Sequence, residues 1–350
     1  MHTGLVGGTT AAFVVLGLAV SANDAHAAKQ LTMATSWGGG PHLEFLAQGF
    51  AQNAEMLTNG EITFEVFPAG TLGSPLKVVE TVKSGIAESG HHWSGYDWGV
   101  DKTAVLFGGY AGSMPAEHYI HWLYEGGGVD LWQQWRLEEH GVIAFPCGSH
   151  ADEIFMQSNK RVETLDDFQG LKVRTSGAWA EIATELGAST VILPGPEVYP
   201  ALERGVVDAM EWATPWINYE MGFHKVAKYV ILPGVHQASS AQECVFSEAT
   251  WDGFSDREKE MLELAGKLTT LNAWLKFNNG DVDALVQLEE AGNEIVVVND
   301  AFIQAAKDKT RAWEDRTMAE LGGWFEKVLS SQRDFMKRWE NASLYRSELK

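Results

Sequence analysis

Arg174 offers the most specific chemistry in this chain. It closes the run Leu171-Lys172-Val173-Arg174, just before Thr175-Ser176-Gly177, where a strand gives way to a turn. Ligands of open α/β sheets bind at strand ends. A guanidinium there presents a planar fork that holds a carboxylate through two parallel hydrogen bonds. Position alone does not separate this role from that of a solvated surface arginine. Other polar groups say less. His118 and His121 share a helical face by spacing, but their segment offers no third and fourth zinc ligand. His91 and His92 fall on opposite faces of a strand, and Gly126-Gly127-Gly128 lacks the lysine and Ser/Thr of a phosphate loop. With no Gly-x-Ser-x-Gly, His-Glu-x-x-His or calcium-hand loop, nothing nominates a nucleophile–base pair, and the chain is read as a non-enzyme. Cys147 and Cys244 are compatible with either a disulfide or two buried thiols.

The elements that must position these residues alternate between short strands and helices. Leu31–Ser36 reads as a strand, and 41–57 has helical apolar spacing at Leu43, Leu46, Ala47, Phe50, Ala54 and Leu57. Ile62–Phe67 alternates like a strand, and Ser74-Pro75 reads as the cap of a helix that ends at Ser84-Gly85. The same grammar recurs at Leu171–Arg174 and Thr190–Leu193. Phe67-Pro68-Ala69-Gly70 and Leu193-Pro194-Gly195 each lead through a short helix and a capping glycine to a new strand. Two similar α/β lobes with a cleft at their junction follow. Boundaries fall at 28–151 for the first lobe and 152–240 for the second, with a crossing segment and C-terminal helices over 241–350. A helix begins after Ser255, with Asp256, Glu258 and Glu260 in its first turns. Residues 301–339 form a long amphipathic region broken at Gly322-Gly323. Among the aromatics near predicted strand edges, Trp37 and Tyr96 are candidates for the walls of the cleft.

Composition is globular: 350 residues, 45% hydrophobic and 21% charged. The apolar run Ala11–Val20 is too short to span a bilayer securely and leads to Ala25-His26-Ala27, so residues 1–27 read as a signal peptide cleaved near Ala27. The formal charge is −21, and Asp24 is the one charged side chain in that leader. So acidic a surface repels nucleic acid, and a carboxylate site within it must carry its own positive charge.

The run from Leu165 to Arg174 (Leu-Asp-Asp-Phe-Gln-Gly-Leu-Lys-Val-Arg) resembles the signature of TRAP-transporter substrate-binding proteins. Leu193–Tyr199, Ala201–Ala209, Glu211-Trp212, Gly222–Tyr229 and Pro233-Gly234 continue the resemblance in order. It is closest to the branch that binds 2-oxo acids with a metal ion. The resemblance implies a two-lobed periplasmic-binding-protein-like α/β fold, with open, mostly parallel sheets and C-terminal helices packing across the lobes. It implies a periplasmic receptor that closes over a small 2-oxo or 2-hydroxy carboxylate and works with two integral membrane subunits. It also implies that Arg174 clamps the carboxylate, while Glu211 and the carbonyl of Trp212 hold a cation, Ca²⁺ or Na⁺. Where relatives carry a metal-binding glutamine this chain has Glu153, with Gln157 as the neighbouring alternative. A second carboxylate should favour calcium. After Pro233-Gly234, relatives show bulky aromatics, whereas Val235-His236-Gln237 stands here. A homodimer through the 301–339 region also follows from the resemblance. The rival readings are an exported lyase or hydrolase of organic acids, and a sensor subunit with the same fold.

Overall fold

The strands read from the sequence all form, and they sort into two sheets. The computed structural model describes residues 1–4 and 28–344; most of the signal-peptide region, residues 5–27, lies outside them. In chain order the strands are β1 (Lys29–Thr35), β2 (Ile62–Phe67), β3 (Ser89–Trp93), β4 (Val142–His150), β5 (Met156–Ser158) and β6 (Lys172–Arg174). They continue with β7 (Ser189–Val191), β8 (Ala209–Met210), β9 (Tyr229–Leu232), β10 (Ser240–Ser247) and β11 (Glu294–Val297). The first sheet has the order β2-β1-β3-β10-β4 and the second β11-β9-β5-β8-β6-β7.

Within each sheet, strands that follow one another through helices run parallel, as β1 does with β2 and β3, and β6 with β7 and β8. The exceptions come from the chain crossing between lobes. β5 arrives from the first sheet and lies antiparallel to β8 and β9. β10 returns from the second and lies antiparallel to β3 and β4. Each sheet is therefore mixed, with one reversed strand beside the cleft. Cys147 on β4 and Cys244 on β10 form a disulfide, settling what spacing left open.

One helical expectation is corrected. The helix after Ser74-Pro75 begins only at Val78, with no side-chain cap, because residues 74–77 form a turn (Lys77 N–H to Ser74 O, 3.0 Å). The carbonyl of Pro75 instead accepts from Ser36 Oγ at 2.6 Å, tying that turn to the end of β1. The helix that begins with a Ser255–Glu258 capping box runs 35 residues, Asp256–Glu290, and packs on β4 and on the helix Pro215–Glu220 of the second lobe. It is a third connection between the lobes.

The 301–339 region becomes two helices, Asp300–Leu321 and Gly323–Trp339. The first packs on the second-lobe helix Ala178–Glu185, the second on first-lobe helices. Their apolar residues Phe302, Trp313, Phe325, Val328 and Phe335 join one continuous core with Phe107, Trp132 and Trp135 of the first lobe and Phe155 and Trp179 of the second. This is the expected packing across both lobes.

Candidate functional site

Strand ends from both sheets converge on one small cavity. Trp37 follows β1, Trp93 and Tyr96 close and follow β3, and His150 ends β4. Arg174 ends β6, while Glu211 and Trp212 follow β8. The two crossing segments add Glu153, between β4 and β5, and Gln237, between β9 and β10. Gly234 permits the second crossing, because a Cβ there would collide with the Glu153 carbonyl.

Arg174 is 1% exposed and faces this cavity. Its Nε and Nη2 donate to Leu193 O at 3.2 and 3.0 Å. Nη1 donates to Glu211 O at 3.0 Å and to Glu211 Oε1 at 3.1 Å. The plane of the guanidinium is thereby fixed, and it lies 5.5 Å from the Trp212 ring centroid. Across the cavity Glu153 Oε1 accepts from Gln237 Nε2 at 2.9 Å, and Glu153 Oε2 lies 3.0 Å from His236 Nε2. His236 is also 3.9 Å from Glu211 Oε2, so Glu153, Glu211 and His236 offer donor atoms within 4.8 Å of one another.

Burial governs the protonation of this cluster. It raises Glu153 well above the usual carboxyl range, against the opposing pull of Arg174. Burial likewise raises Glu211, again opposed by Arg174. It lowers His236 and His150 to about 4, and His42, with His150 and His91 nearby, falls well below its ordinary value. Burial also raises the phenol of Tyr96. The histidines are thus neutral at pH 7, and Arg174 is the one Lys or Arg among the described residues lining the cavity. Two buried carboxylates facing one guanidinium leave a deficit of positive charge that favours a cation. With His236 Nε2 engaged by Glu153, the donors left over are carboxylate oxygens, which suit a hard ion such as Ca²⁺ or Na⁺.

Trp37, Tyr96, Glu153, Arg174, Glu211 and Trp212 are therefore brought together. Gln157 is not. It sits on β5, fully buried and paired between β8 and β9, away from the cavity lining. Of the two alternatives, Glu153 lines the cavity. Of the other aromatics, Trp93 lines the cavity, whereas Trp179 is core and Trp216 packs on Phe277. Sequence reasoning missed His42 and His150, which line the cavity. A histidine opening the helix after β1 was the available signal for His42. His236 was noted only as a departure from relatives, and its contact with Glu153 arises because the two crossings run side by side.

A two-lobed α/β chain with a buried arginine and carboxylates at the junction is the architecture of an extracytoplasmic solute receptor. The family of bacterial extracellular solute-binding proteins, family 7 (DctP), matches residues 36–320. The chain belongs to this family and is a periplasmic solute receptor of a TRAP transporter, a class that works with membrane subunits. A monocarboxylate 2-oxoacid-binding periplasmic protein of Nostoc sp. is 30% identical over 283 residues, 79% of this chain and 75% of the relative. A TRAP periplasmic solute-binding protein of Pseudoalteromonas atlantica, with bound sodium and pyruvate, superposes with a TM-score of 0.83 at 25% identity, covering 92% of this chain and 100% of that one. A counterpart from Colwellia psychrerythraea, with bound calcium and pyruvate, gives 0.83 at 24% identity, covering 90% and 97%.

Proposed function

We propose that this receptor binds a small 2-oxo or 2-hydroxy monocarboxylate together with a calcium ion. The observation that carries the reading is the charge balance of the cavity: Glu153 and Glu211 against Arg174 alone. Counted as ionised groups, these sum to −1. A divalent cation brings the site to +1, which one carboxylate neutralises; sodium would leave nothing for the ligand anion to balance. Glu153, Glu211 and the backbone carbonyl of Trp212 would hold the ion. The acid's carboxylate would lie on Arg174 and its 2-oxygen on the ion. The cavity is small, which suits an acid of a few carbons. The pyruvate-bound neighbours and the Nostoc relative support the same class.

Cation and anion are coupled through Glu211. Its Oε1 accepts from Arg174 Nη1, so an ion drawing that oxygen away frees an N–H for the ligand. The lobes, 28–151 and 152–240, close over both, and the closed form is what the membrane subunits read. The ligand leaves chemically unchanged. Export proceeds with removal of the leader near Ala27. Homodimerisation belongs to this reading as well. A thermal-shift screen of small organic acids with and without calcium tests it. A 2-oxo monocarboxylate should raise the melting temperature only when calcium is present. A calcium-independent response, or conversion of an acid to product, would contradict it.

A further inference from the structure

The lining of the interlobe cavity holds more polar chemistry than a carboxylate and a cation use. Trp37 Nε1 donates to His91 Nδ1 at 2.8 Å and Trp93 Nε1 to Gly108 O at 2.7 Å, so both indole N–H groups are committed within the first lobe. Other lining residues differ. Gln242 Oε1, His42 Nδ1 and Trp212 Nε1 are buried without a hydrogen-bond partner among the described residues. Gln242 and His42 are 1 and 4% exposed. Unpaired polar atoms at such depth are costly and call for an explanation.

The fold holds Gln242 in a fixed orientation. The register of β10 on β4 shifts between Gln242 and Glu243, an irregularity of the kind that re-aims a side chain beside a site. Ser240 gives its one hydroxyl proton to Gly108 O at 3.2 Å. Toward Gln242 it can therefore only accept, and it takes the amide Nε2 at 3.0 Å. That leaves Oε1 as a fixed acceptor. Trp212 Nε1 can only donate, and His42 Nδ1 does either according to its tautomer.

Carboxylate and 2-oxo oxygens only accept, so a simple 2-oxo acid offers Gln242 Oε1 nothing. A 2-hydroxyl held on the ion has Glu153 and Glu211 beside it to take its proton. We infer that the preferred acid carries a hydroxyl on C3, which donates to Gln242 Oε1 and accepts from Trp212 or His42. This rests on the ligand class proposed above and narrows it. A hydroxyl is the small neutral group that serves a donor and an acceptor at once.

Calorimetry in saturating calcium with hydroxypyruvate, 2-oxobutanoate and lactate tests this. The first two acids have nearly the same shape and differ by hydroxyl against methyl on C3. The wild-type protein should prefer hydroxypyruvate by about tenfold or more, because a site built to hydrogen-bond a hydroxyl rejects the analogue without it. Gln242→Leu, folded by far-UV dichroism, should reduce that preference to about threefold or less. Equal or tighter binding of 2-oxobutanoate overturns the inference and leaves the 2-oxo acid reading intact, as does a folded Gln242→Leu that keeps the preference. Lactate binding more tightly than hydroxypyruvate moves the donor to C2 and overturns it too. Failure of all these acids to bind removes the ligand reading itself and this inference with it. The wild-type comparison stands even if the variant does not fold.

Discussion

Arg174 can act as a clamp because its other hydrogen bonds have already fixed its plane. Leu193 O takes Nε and Nη2, and Glu211 takes Nη1. Truncation to alanine should cost about 2–5 kcal/mol of carboxylate affinity, the range for deleting one partner of a buried charged pair. Glu153→Gln removes the extra negative charge and should weaken calcium about tenfold or more while sodium loses less, measured by titration with each ion. The pH dependence has a definite sign. Glu153 and Glu211 are raised, so in the cation-free protein they hold protons that unfolded carboxyls would release. Their stabilisation is present below the unfolded carboxyl value and is lost as pH rises through the raised values. Calcium needs the ionised forms, so its affinity should rise over the same interval and binding should release protons. Calorimetry in buffers of different ionisation enthalpy reads that release; none at mildly acidic pH would count against the assignment. Arg174 was legible because a cation at a strand end is a local pattern. His236 was not, since its partner Glu153 lies 83 residues away.

At the level of elements, the two crossings carry the site and the disulfide braces their roots. β4 and β10 are antiparallel neighbours, and Cys147–Cys244 joins them across a separation of 97 residues. Closing so long a loop stabilises a fold by about 2–5 kcal/mol. The Cys147→Ser/Cys244→Ser pair should lower stability by that amount in denaturant titration while leaving ligand affinity within a few-fold. The reversed strands that give these crossings their path were not foreseen. β5 has three residues and β8 two, too few to show a period. The long helix hid its extent for the opposite reason. With apolar residues on both sides, it has no single stripe for a helical period to reveal.

For the whole molecule, three connections and a shared core set what lobe closure can be. The helices Asp300–Leu321 and Gly323–Trp339 join the lobes into one core. A core shared by both lobes favours closure by a hinge over separation of the lobes. Calcium with a 2-oxo acid should shrink the radius of gyration in solution scattering, whereas calcium alone should do less. The two-lobe plan was readable from the repeated strand–turn–helix passages. Packing of the C-terminal helices across both lobes was expected too, but not the members of the joint core, because Trp132, Phe155, Trp179 and Trp313 are brought together by tertiary folding alone.

The central claim is that the fork at residue 174 grips an acid group between the lobes, and calorimetry of pyruvate binding in saturating calcium tests it most directly. The wild-type protein should bind one equivalent saturably, and Arg174→Ala, folded by far-UV dichroism, should show no measurable heat at the same concentrations. Undiminished affinity in the folded variant would contradict the account.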